Sequence, residues 1–116
     1  MNPFLEGTRP NFWLSCLLFD EERAYAEKSR EELLYEGTVS PLVLRLMKAL
    51  ADENIESRPI WKPMHMQPYY KNCDYVTAGG RSVDEDIFLR GLCLPSDIKM
   101  TEEEQDKIIE IIGGLL

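Results

Sequence analysis

The sequence predicts an α/β domain of the two-layer (α+β) kind, with a small sheet of about three strands and helices packed on one face. Two apolar runs and one proline-rich arm have the composition of extended segments, and three amphipathic segments carry helix start signals. These segments alternate along the chain, as they do in layered α/β structures. With 116 residues, the chain is long enough for one modest core and too short for two.

The first predicted strand covers residues 11–19 (NFWLSCLLF), an almost continuous apolar run. Such a run is typical of a strand buried on both faces, so one face is expected to need a partner that the chain does not supply. The following residues 21–35 are highly charged around a thin apolar set of Tyr25, Leu33 and Leu34. This pattern fits either an exposed helix or a mobile connection.

The first clear helix begins after Ser40, which is a favourable N-cap, with Pro41 at the first helical position. Its apolar stripe comprises Leu42, Val43, Leu46, Met47 and Leu50. A helix that leads directly into an extended segment is half of an α/β layer unit.

Two further helices are predicted from S/T-x-x-E capping boxes, one at Ser82 with Glu85 and one at Thr101 with Glu104. The first is expected to stop at Gly91 and the second at residues 113–114. Between them, the apolar run LCLP at residues 92–95 predicts a short strand.

Residues 55–68 (IESRPIWKPMHMQP) form the candidate binding arm, because Arg58, Trp61, Lys62 and the only histidine, His65, fall within eight residues. Its prolines restrict φ and favour extended geometry in the preceding residues, so an extended arm that turns is expected. If guanidinium, ammonium, indole and imidazole groups share one rim, they suit an anionic ligand with a flat or sugar-like body.

A structural alternative for the arm stays open: Trp61 and Met64 fill a core edge, and Arg58 and Lys62 are solvated. The net charge of −8 and the pI near 4.6 argue against nucleic acid or an anionic membrane as partner, since phosphate groups would be repelled over most of the surface. The sequence has no acidic residue from Arg58 to the one before Asp74, so the arm is expected to be a positive island.

Cys16, Cys73 and Cys93 occur at wide separations without a CxxC motif, which fits reduced thiols in a cytoplasmic protein. Cys16 and Cys93 lie in apolar runs, where a thiol is usually inert. A zinc site from Cys73, His65 and Cys93 is conceivable but lacks the paired ligand spacing of structural zinc, so no metal ligands are expected.

The sequence contains no complete catalytic constellation, so no catalytic residues are assigned. Residues 1–10 lack the basic-plus-apolar opening of a leader, and no apolar run approaches the roughly 20 residues that span a bilayer. A soluble cytoplasmic protein is therefore expected.

Three ordered blocks resemble the C-terminal end of the pyridoxal-phosphate-dependent sugar-nucleotide aminotransferases of the DegT/DnrJ family. The blocks are residues 56–68 (ESRPIWKPMHMQP), 85–96 (EDIFLRGLCLPS) and 101–112 (TEEEQDKIIEII). The run at residues 11–19 is similar to the first strand of that family's small domain. The resemblance implies that residues 1–116 are one C-terminal small domain of the aspartate-aminotransferase-like fold, with a mostly antiparallel sheet and with the large cofactor-binding domain absent.

The same resemblance implies a function. Family members transfer an amino group, usually from glutamate, to a nucleoside-diphosphate keto sugar in cell-surface polysaccharide or sugar biosynthesis, and they work as homodimers. The arm, with Arg58, Trp61, Lys62 and His65, is then expected to contact the nucleotide-sugar substrate. No lysine of this chain matches the family's Schiff-base lysine, so the isolated chain is expected to bind no pyridoxal phosphate and to be inactive; the lysines are Lys28, Lys48, Lys62, Lys71, Lys99 and Lys107.

Two alternatives remain from the sequence. The chain could be a stand-alone module that keeps nucleotide-sugar recognition through the arm. It could also be an oligomerising module whose copies pair as a homodimer through the apolar face of residues 11–19. Ligand binding without the cofactor domain favours the first alternative, and dimer formation without ligand binding favours the second.

Overall fold

The strand that comes last in the chain lies at the centre of the sheet. In the computed structural model, which describes residues 6–116, the sheet has the order β1-β3-β2, with β1 at Ser15–Leu18, β2 at Arg58–Pro59 and β3 at Gly91–Leu94. Both edge strands run antiparallel to β3, and Cys16 and Arg58 lie on either side of Cys93. The predicted α/β fold with a small antiparallel sheet is confirmed.

Residues 6–116 also contain five α-helices and two short 3-10 turns. The helices are α1 Glu21–Ala24, α2 Arg30–Glu36, α3 Pro41–Asp52, α4 Val83–Arg90 and α5 Glu102–Gly113, and the 3-10 turns are Met64–Met66 and Pro68–Tyr70. Within this part of the chain, none of the helices is long and apolar enough to cross a membrane. The expectation about a leader concerns residues 1–10, of which 1–5 lie outside the described residues.

One face of the sheet contributes to the hydrophobic core. Leu92 in β3 is fully buried there, and Leu17, its partner in β1, packs against the same core. The other buried members of this core are Phe19, Leu33, Val39, Leu42, Val43, Leu46, Leu50, Phe88, Leu89, Ile108 and Ile112. Because side chains alternate along a strand, Cys93 and its neighbours Cys16 and Arg58 face the other way. This second sheet face borders the hollows described below.

The start signals place α3 where the sequence predicts it. The Ser40 side chain accepts a hydrogen bond from the Val43 N–H, and Pro41 occupies the first turn. The stripe buries Leu42, Val43, Leu46 and Leu50.

The charged residues 21–35, for which helix and mobile connection were both open, form the two short helices α1 and α2. A capping box between Ser29 and Glu32 starts α2, and Leu33 anchors it in the core. Gly37 ends it with a φ of 66°, in the left-handed region that favours glycine.

The prediction of a long strand buried on both faces at residues 11–19 is wrong. β1 covers only Ser15–Leu18, and none of its four residues is buried. Phe12 has a φ of 54°, which interrupts the extended backbone, and Trp13 is 68% exposed. The apolar run belongs to an edge strand with one face open, and hydrophobicity alone does not distinguish that position from a central one.

The short strand β3 begins one residue earlier than the predicted 92–95, because Gly91 is extended with φ of −102° and ψ of 144°. Gly91 therefore ends α4 by starting the strand. A Cβ atom at this position would overlap the Ile60 side chain and the Ile87 carbonyl oxygen, so the glycine permits the arm to cross closely over the end of α4.

Candidate ligand-binding groove

The open face of the sheet carries two adjoining hollows, of about 590 and 910 Å³. Both are lined by Trp13, Leu14, Arg58 and Cys93, and we call the region around these four residues the sheet groove. The smaller hollow extends along the arm to Trp61 and Lys62, and the larger one extends toward the start of α5. Three of the four predicted site residues therefore line one concave surface.

Two tryptophans frame the mouth of the sheet groove. The Trp13 and Trp61 ring centroids lie 5.8 Å apart with the planes tilted by 39°. Trp61 is 63% exposed and Met64 is 60% exposed, so the alternative in which these two side chains fill a core edge is wrong. Exposed, rigid indole rings beside a cavity offer stacking surface to a flat or sugar-like ligand.

Arg58 forms an ion pair with Glu56, two residues before it in the chain. Its Nε and Nη2 atoms donate to Oε1 of Glu56, at 2.9 and 2.6 Å. Residues two apart on an extended segment share a face, which brings this pair together. Both side chains are about three-quarters exposed, and such pairs contribute little stability, so an anionic ligand can displace Glu56 at small cost.

Lys62 fastens the arm to the helical layer. Its Nζ atom donates to the Gly37 carbonyl oxygen at 2.8 Å, just after the C-terminus of α2. A cation at this place also complements the helix dipole. The Lys62 amine is therefore already engaged, although its side chain lines the smaller hollow.

His65 lies away from the sheet groove, so the prediction that it shares a rim with the other three is wrong. The 3-10 turn Met64–Met66 carries it toward the start of α4. There its Nε2 atom lies 3.0 Å from Oε1 of Glu85, and its ring stacks on Tyr75 with centroids 3.6 Å apart. The second Glu85 oxygen accepts from Nη2 of Arg30 at 2.6 Å. We call His65, Tyr75, Glu85 and Arg30 the α4 clamp.

The predicted positive island is also corrected by these contacts. Glu56 accompanies Arg58, while Glu85 and Asp84 approach His65, at 3.0 and 3.8 Å. The acids are distant in sequence from the imidazole but adjacent in space. Arg58 and His65 therefore have acidic partners, which the basic sequence from Arg58 onward does not show.

A second ionic network ties α4 to the rest of the helical layer. Asp86 accepts hydrogen bonds from Arg90, from Arg81 at 2.6 Å and from the Tyr25 hydroxyl at 3.0 Å. Burial alone would raise the pKa of Asp86, but these donors outweigh it and lower the pKa to about 2. For Tyr25, burial and the bond to Asp86 raise the pKa to about 12. Near pH 7, Asp86 is therefore charged and Tyr25 is neutral, and we interpret the network as structural.

Within residues 6–116, no group of three or more His, Cys, Asp or Glu side chains is placed to hold a metal ion. The zinc trio considered from the sequence is not assembled, since Cys93 lies beside Cys16 and His65 beside Glu85.

The described residues do not fit pyridoxal phosphate either. A Schiff-base lysine must be enclosed and available as a neutral amine. Lys62 is bonded to the Gly37 carbonyl, while Lys28, Lys48 and Lys107 form ion pairs with Glu36, Asp52 and Glu53. Lys71 and Lys99 are exposed.

Sequence reasoning missed four contributors: Trp13, Glu56, Gly37 and Glu85. Glu56 had a detectable signal, because it lies two residues before Arg58 on a predicted extended segment. Trp13 was assigned to a buried strand, and Gly37 and Glu85 are linked to the arm only by tertiary contacts.

Comparison with known proteins identifies the relationship that the three blocks suggest. The family model of the DegT/DnrJ/EryC1/StrS aminotransferases matches residues 28–113, which is most of the chain. The chain belongs to this aminotransferase family. The match includes α2 to α5, the arm and the α4 clamp, but it begins after β1.

Two similar proteins show what fraction of a relative this chain spans. One is a Bacillus subtilis (strain 168) protein named "Putative pyridoxal phosphate-dependent aminotransferase EpsN", 48% identical over 68 residues, or 58% of this chain and 18% of that protein. The other is the crystal structure of a DegT DnrJ EryC1 StrS aminotransferase from Brucella abortus, with a TM-score of 0.55 and 30% identity. That match covers 73% of this chain and 28% of the Brucella chain. This aminotransferase-family chain therefore spans less than a third of either relative.

Proposed function

We propose that this chain acts as the C-terminal small domain of a pyridoxal-phosphate-dependent aminotransferase that moves an amino group from glutamate to a nucleoside-diphosphate keto sugar. The product would serve cell-surface polysaccharide or sugar biosynthesis in the cytoplasm. The observation that carries the proposal is the sheet groove, where Arg58 and the Trp13–Trp61 pair meet on an open sheet face in a member of this family. We further propose that the 116-residue chain alone does not transaminate.

The substrate contacts follow from the chemistry of the groove. The Arg58 guanidinium exchanges Glu56 for a phosphate oxygen, because a charge-assisted bond to phosphate is stronger than an exposed carboxylate pair. The indoles of Trp13 and Trp61 contact the base or sugar. Lys62 and His65 hold the arm from its inner side through Gly37 and Glu85.

The open face also gives the rest of the enzyme a place to dock. Phe12, Trp13 and Leu18 are 67, 68 and 52% exposed along the edge of the sheet, which is a large apolar exposure for so short a segment. We propose that the large cofactor domain, and in the dimer a second subunit, cover part of this edge. Pyridoxal phosphate supplies the electron sink for amino transfer when bound to that domain.

Activity tests the proposal at the level of the enzyme. The 116-residue protein with pyridoxal phosphate, glutamate and a uridine-diphosphate 4-keto hexose should give no amino-sugar nucleotide by mass spectrometry. A chimera that joins the preceding part of the Bacillus relative to this chain should give that product. Steady amino transfer by the isolated chain would contradict the inactivity, and a folded, cofactor-loaded chimera without activity would contradict the domain assignment.

Binding tests the groove itself. The protein's two tryptophans both line it, so intrinsic fluorescence reports a uridine-diphosphate hexose directly. Arg58→Gln should weaken binding by about tenfold, the value of one lost charge-assisted bond. The matched control is Arg23→Gln, an equally charge-changing substitution at an exposed Asp20 pair. Equal affinities of the two variants would remove Arg58 from the site.

A further inference from the structure

The sheet face that borders the groove holds a second feature, a pair of thiols, to which the proposed function gives no role. Cys16 and Cys93 lie directly opposite each other on the antiparallel strands β1 and β3, and their Sγ atoms are 3.6 Å apart. Directly opposed residues of such strands have Cα atoms separated by about 4.5–5.5 Å, within the range that disulfides require. The backbone is therefore already arranged for a covalent link.

The two thiols differ in accessibility. Cys16 is half-buried on the edge strand, whereas Cys93 is 6% exposed on the central strand. The pKa of Cys93 is raised to about 11, chiefly by burial and further by the hydrogen bond and electrostatic interaction with Cys16. The thiolate is the reactive form, so Cys16 is the group that a small oxidant meets and that attacks it. The third cysteine, Cys73, is exposed on the loop between Pro68–Tyr70 and α4.

We propose that Cys16 and Cys93 form a redox site in which a small-molecule disulfide, such as glutathione disulfide, reversibly converts the dithiol to a cross-strand disulfide between β1 and β3. The Cys16 thiolate attacks one glutathione sulfur, forms a mixed disulfide and releases glutathione thiolate. Cys93 then gives up its proton and attacks Cys16 Sγ, which releases the second glutathione. One glutathione disulfide is thus reduced to two glutathiones as the two protein thiols are oxidised to one disulfide.

The second step needs only a short movement of the two sulfur atoms. The separation needs to fall from 3.6 Å to about 2.05 Å, a change that side-chain rotation can supply. Cys93 also lines both hollows of the sheet groove, beside the Cys16 sulfur that carries the glutathione.

The link would fix the edge strand β1, which follows Trp13 in the chain, to the centre of the sheet. The two cysteines are 77 positions apart, so the bond closes a long loop and restricts the unfolded chain strongly. Oxidation would thereby stiffen one wall of the groove. This inference does not rest on the proposed transamination, because it concerns only the thiol chemistry of Cys16 and Cys93.

The test uses Cys73→Ser, which removes the exposed thiol and leaves the pair. Reduced Cys73→Ser protein is equilibrated with graded ratios of glutathione to glutathione disulfide, quenched with acid and measured by intact mass. We expect a loss of about 2 Da, the two thiol hydrogens. Non-reducing peptide mapping should join the peptides of Cys16 and Cys93. The oxidised form should melt about 10 °C higher, and reductant should reverse both changes.

The controls separate this reaction from ordinary thiol chemistry. Cys73→Ser with Cys16→Ser should show neither the mass loss nor the joined peptides. If its fold fails by circular dichroism, the peptide map of Cys73→Ser alone still decides the question. A Cys73→Ser protein that stays fully reduced, or that stops at the glutathione adduct on Cys16, would overturn the proposal.

Discussion

The starts of α4 and α5 carry the same local signal but reach different structures. At α5, Thr101 accepts from the Glu104 N–H and the Glu104 carboxylate accepts from the Thr101 N–H, so the predicted capping box forms. At α4, Ser82 accepts from the Glu85 N–H, but the Glu85 carboxylate turns to His65 and Arg30. Only half of the predicted capping box at Ser82 and Glu85 is present, so the prediction of a full box there is wrong, although α4 does start after Ser82.

The difference lies in what surrounds each helix start. The first turn of α5, with Glu102, Glu103 and Glu104, is exposed, and the Glu104 carboxylate bonds back to the Thr101 N–H. The first turn of α4 faces α2 and the arm, which bring Arg30 and His65 to Glu85, and Arg81 of the preceding segment pairs with Asp86. A bond between the Glu85 carboxylate and the largely buried Arg30 guanidinium joins two ionised groups, so it is stronger than a bond from that carboxylate to a neutral backbone N–H.

Replacing Glu85 should give the largest contrast between the two helix starts. Glu85→Ala leaves the largely buried Arg30 without its counter-ion, and Arg30 Nε already lacks a partner among the described residues. We expect a loss of about 2–3 kcal/mol in the free energy of unfolding, measured by urea denaturation. Glu104→Ala is the matched control and should lose about 1 kcal/mol or less. Equal losses would mean that the α4 clamp adds nothing to the cap.

The pH dependence of stability should also distinguish the start of α4 from the start of α5. The folded-state pKa of Asp86 is about 2, below its ordinary value of 3.8, so its stabilisation is complete above about pH 4 and disappears as the pH falls toward 2. At neutral pH this amounts to about 2 kcal/mol. Asp86→Asn should remove it and flatten the stability profile between about pH 4 and 2.

Glu103→Gln, in the exposed first turn of α5, serves as the control for Asp86→Asn, and its neutral-pH stability should stay within about 0.5 kcal/mol of the parent. If Asp86→Asn kept the parent's acid dependence, Asp86 would not be the group responsible.

Double-mutant cycles can measure the coupling energy between the two side chains of each predicted capping box. Thr101→Ala should cost about 1 kcal/mol, and its coupling with Glu104→Ala should be about 0.5 kcal/mol because the two bonds are reciprocal. Ser82→Ala combined with Glu85→Ala should show coupling near zero, since no Glu85 side-chain bond returns to Ser82. Comparable coupling in both cycles would mean that the α4 box forms in solution.

The smallest expected effect concerns the arm side of the clamp. His65→Ala removes the ring that joins the 3-10 turn to Glu85 and Tyr75. Tryptic cleavage after Lys71 should become about threefold faster under native conditions, because the local opening equilibrium shifts while the core is unchanged. Gln105→Ala, at the exposed start of α5, should leave the rate unaltered. An unchanged rate in His65→Ala would show that other contacts hold this segment.

The fold was more predictable than the groove. α3 and α5 follow from Ser40, Pro41 and Thr101 with an apolar period, because such signals act over a few residues. The length of β1 was not predictable, since an apolar run reports burial tendency but not which face a neighbour covers. In the groove, Arg58, Trp61 and Lys62 could be selected by residue type, whereas Trp13 could be paired with Trp61 only through the pairing of β1 with β3.

The sequence by itself determined the helix starts, the extended arm and the family to which the chain belongs. These properties depend on backbone preferences and on patterns among residues that are close together in the sequence. The tertiary structure alone decided that His65 lies beside Glu85, that Lys62 bonds to Gly37 and that Cys16 meets Cys93. The physical reason is that charge pairing and thiol proximity depend on distances of a few ångströms between residues tens of positions apart, and only folding sets those distances.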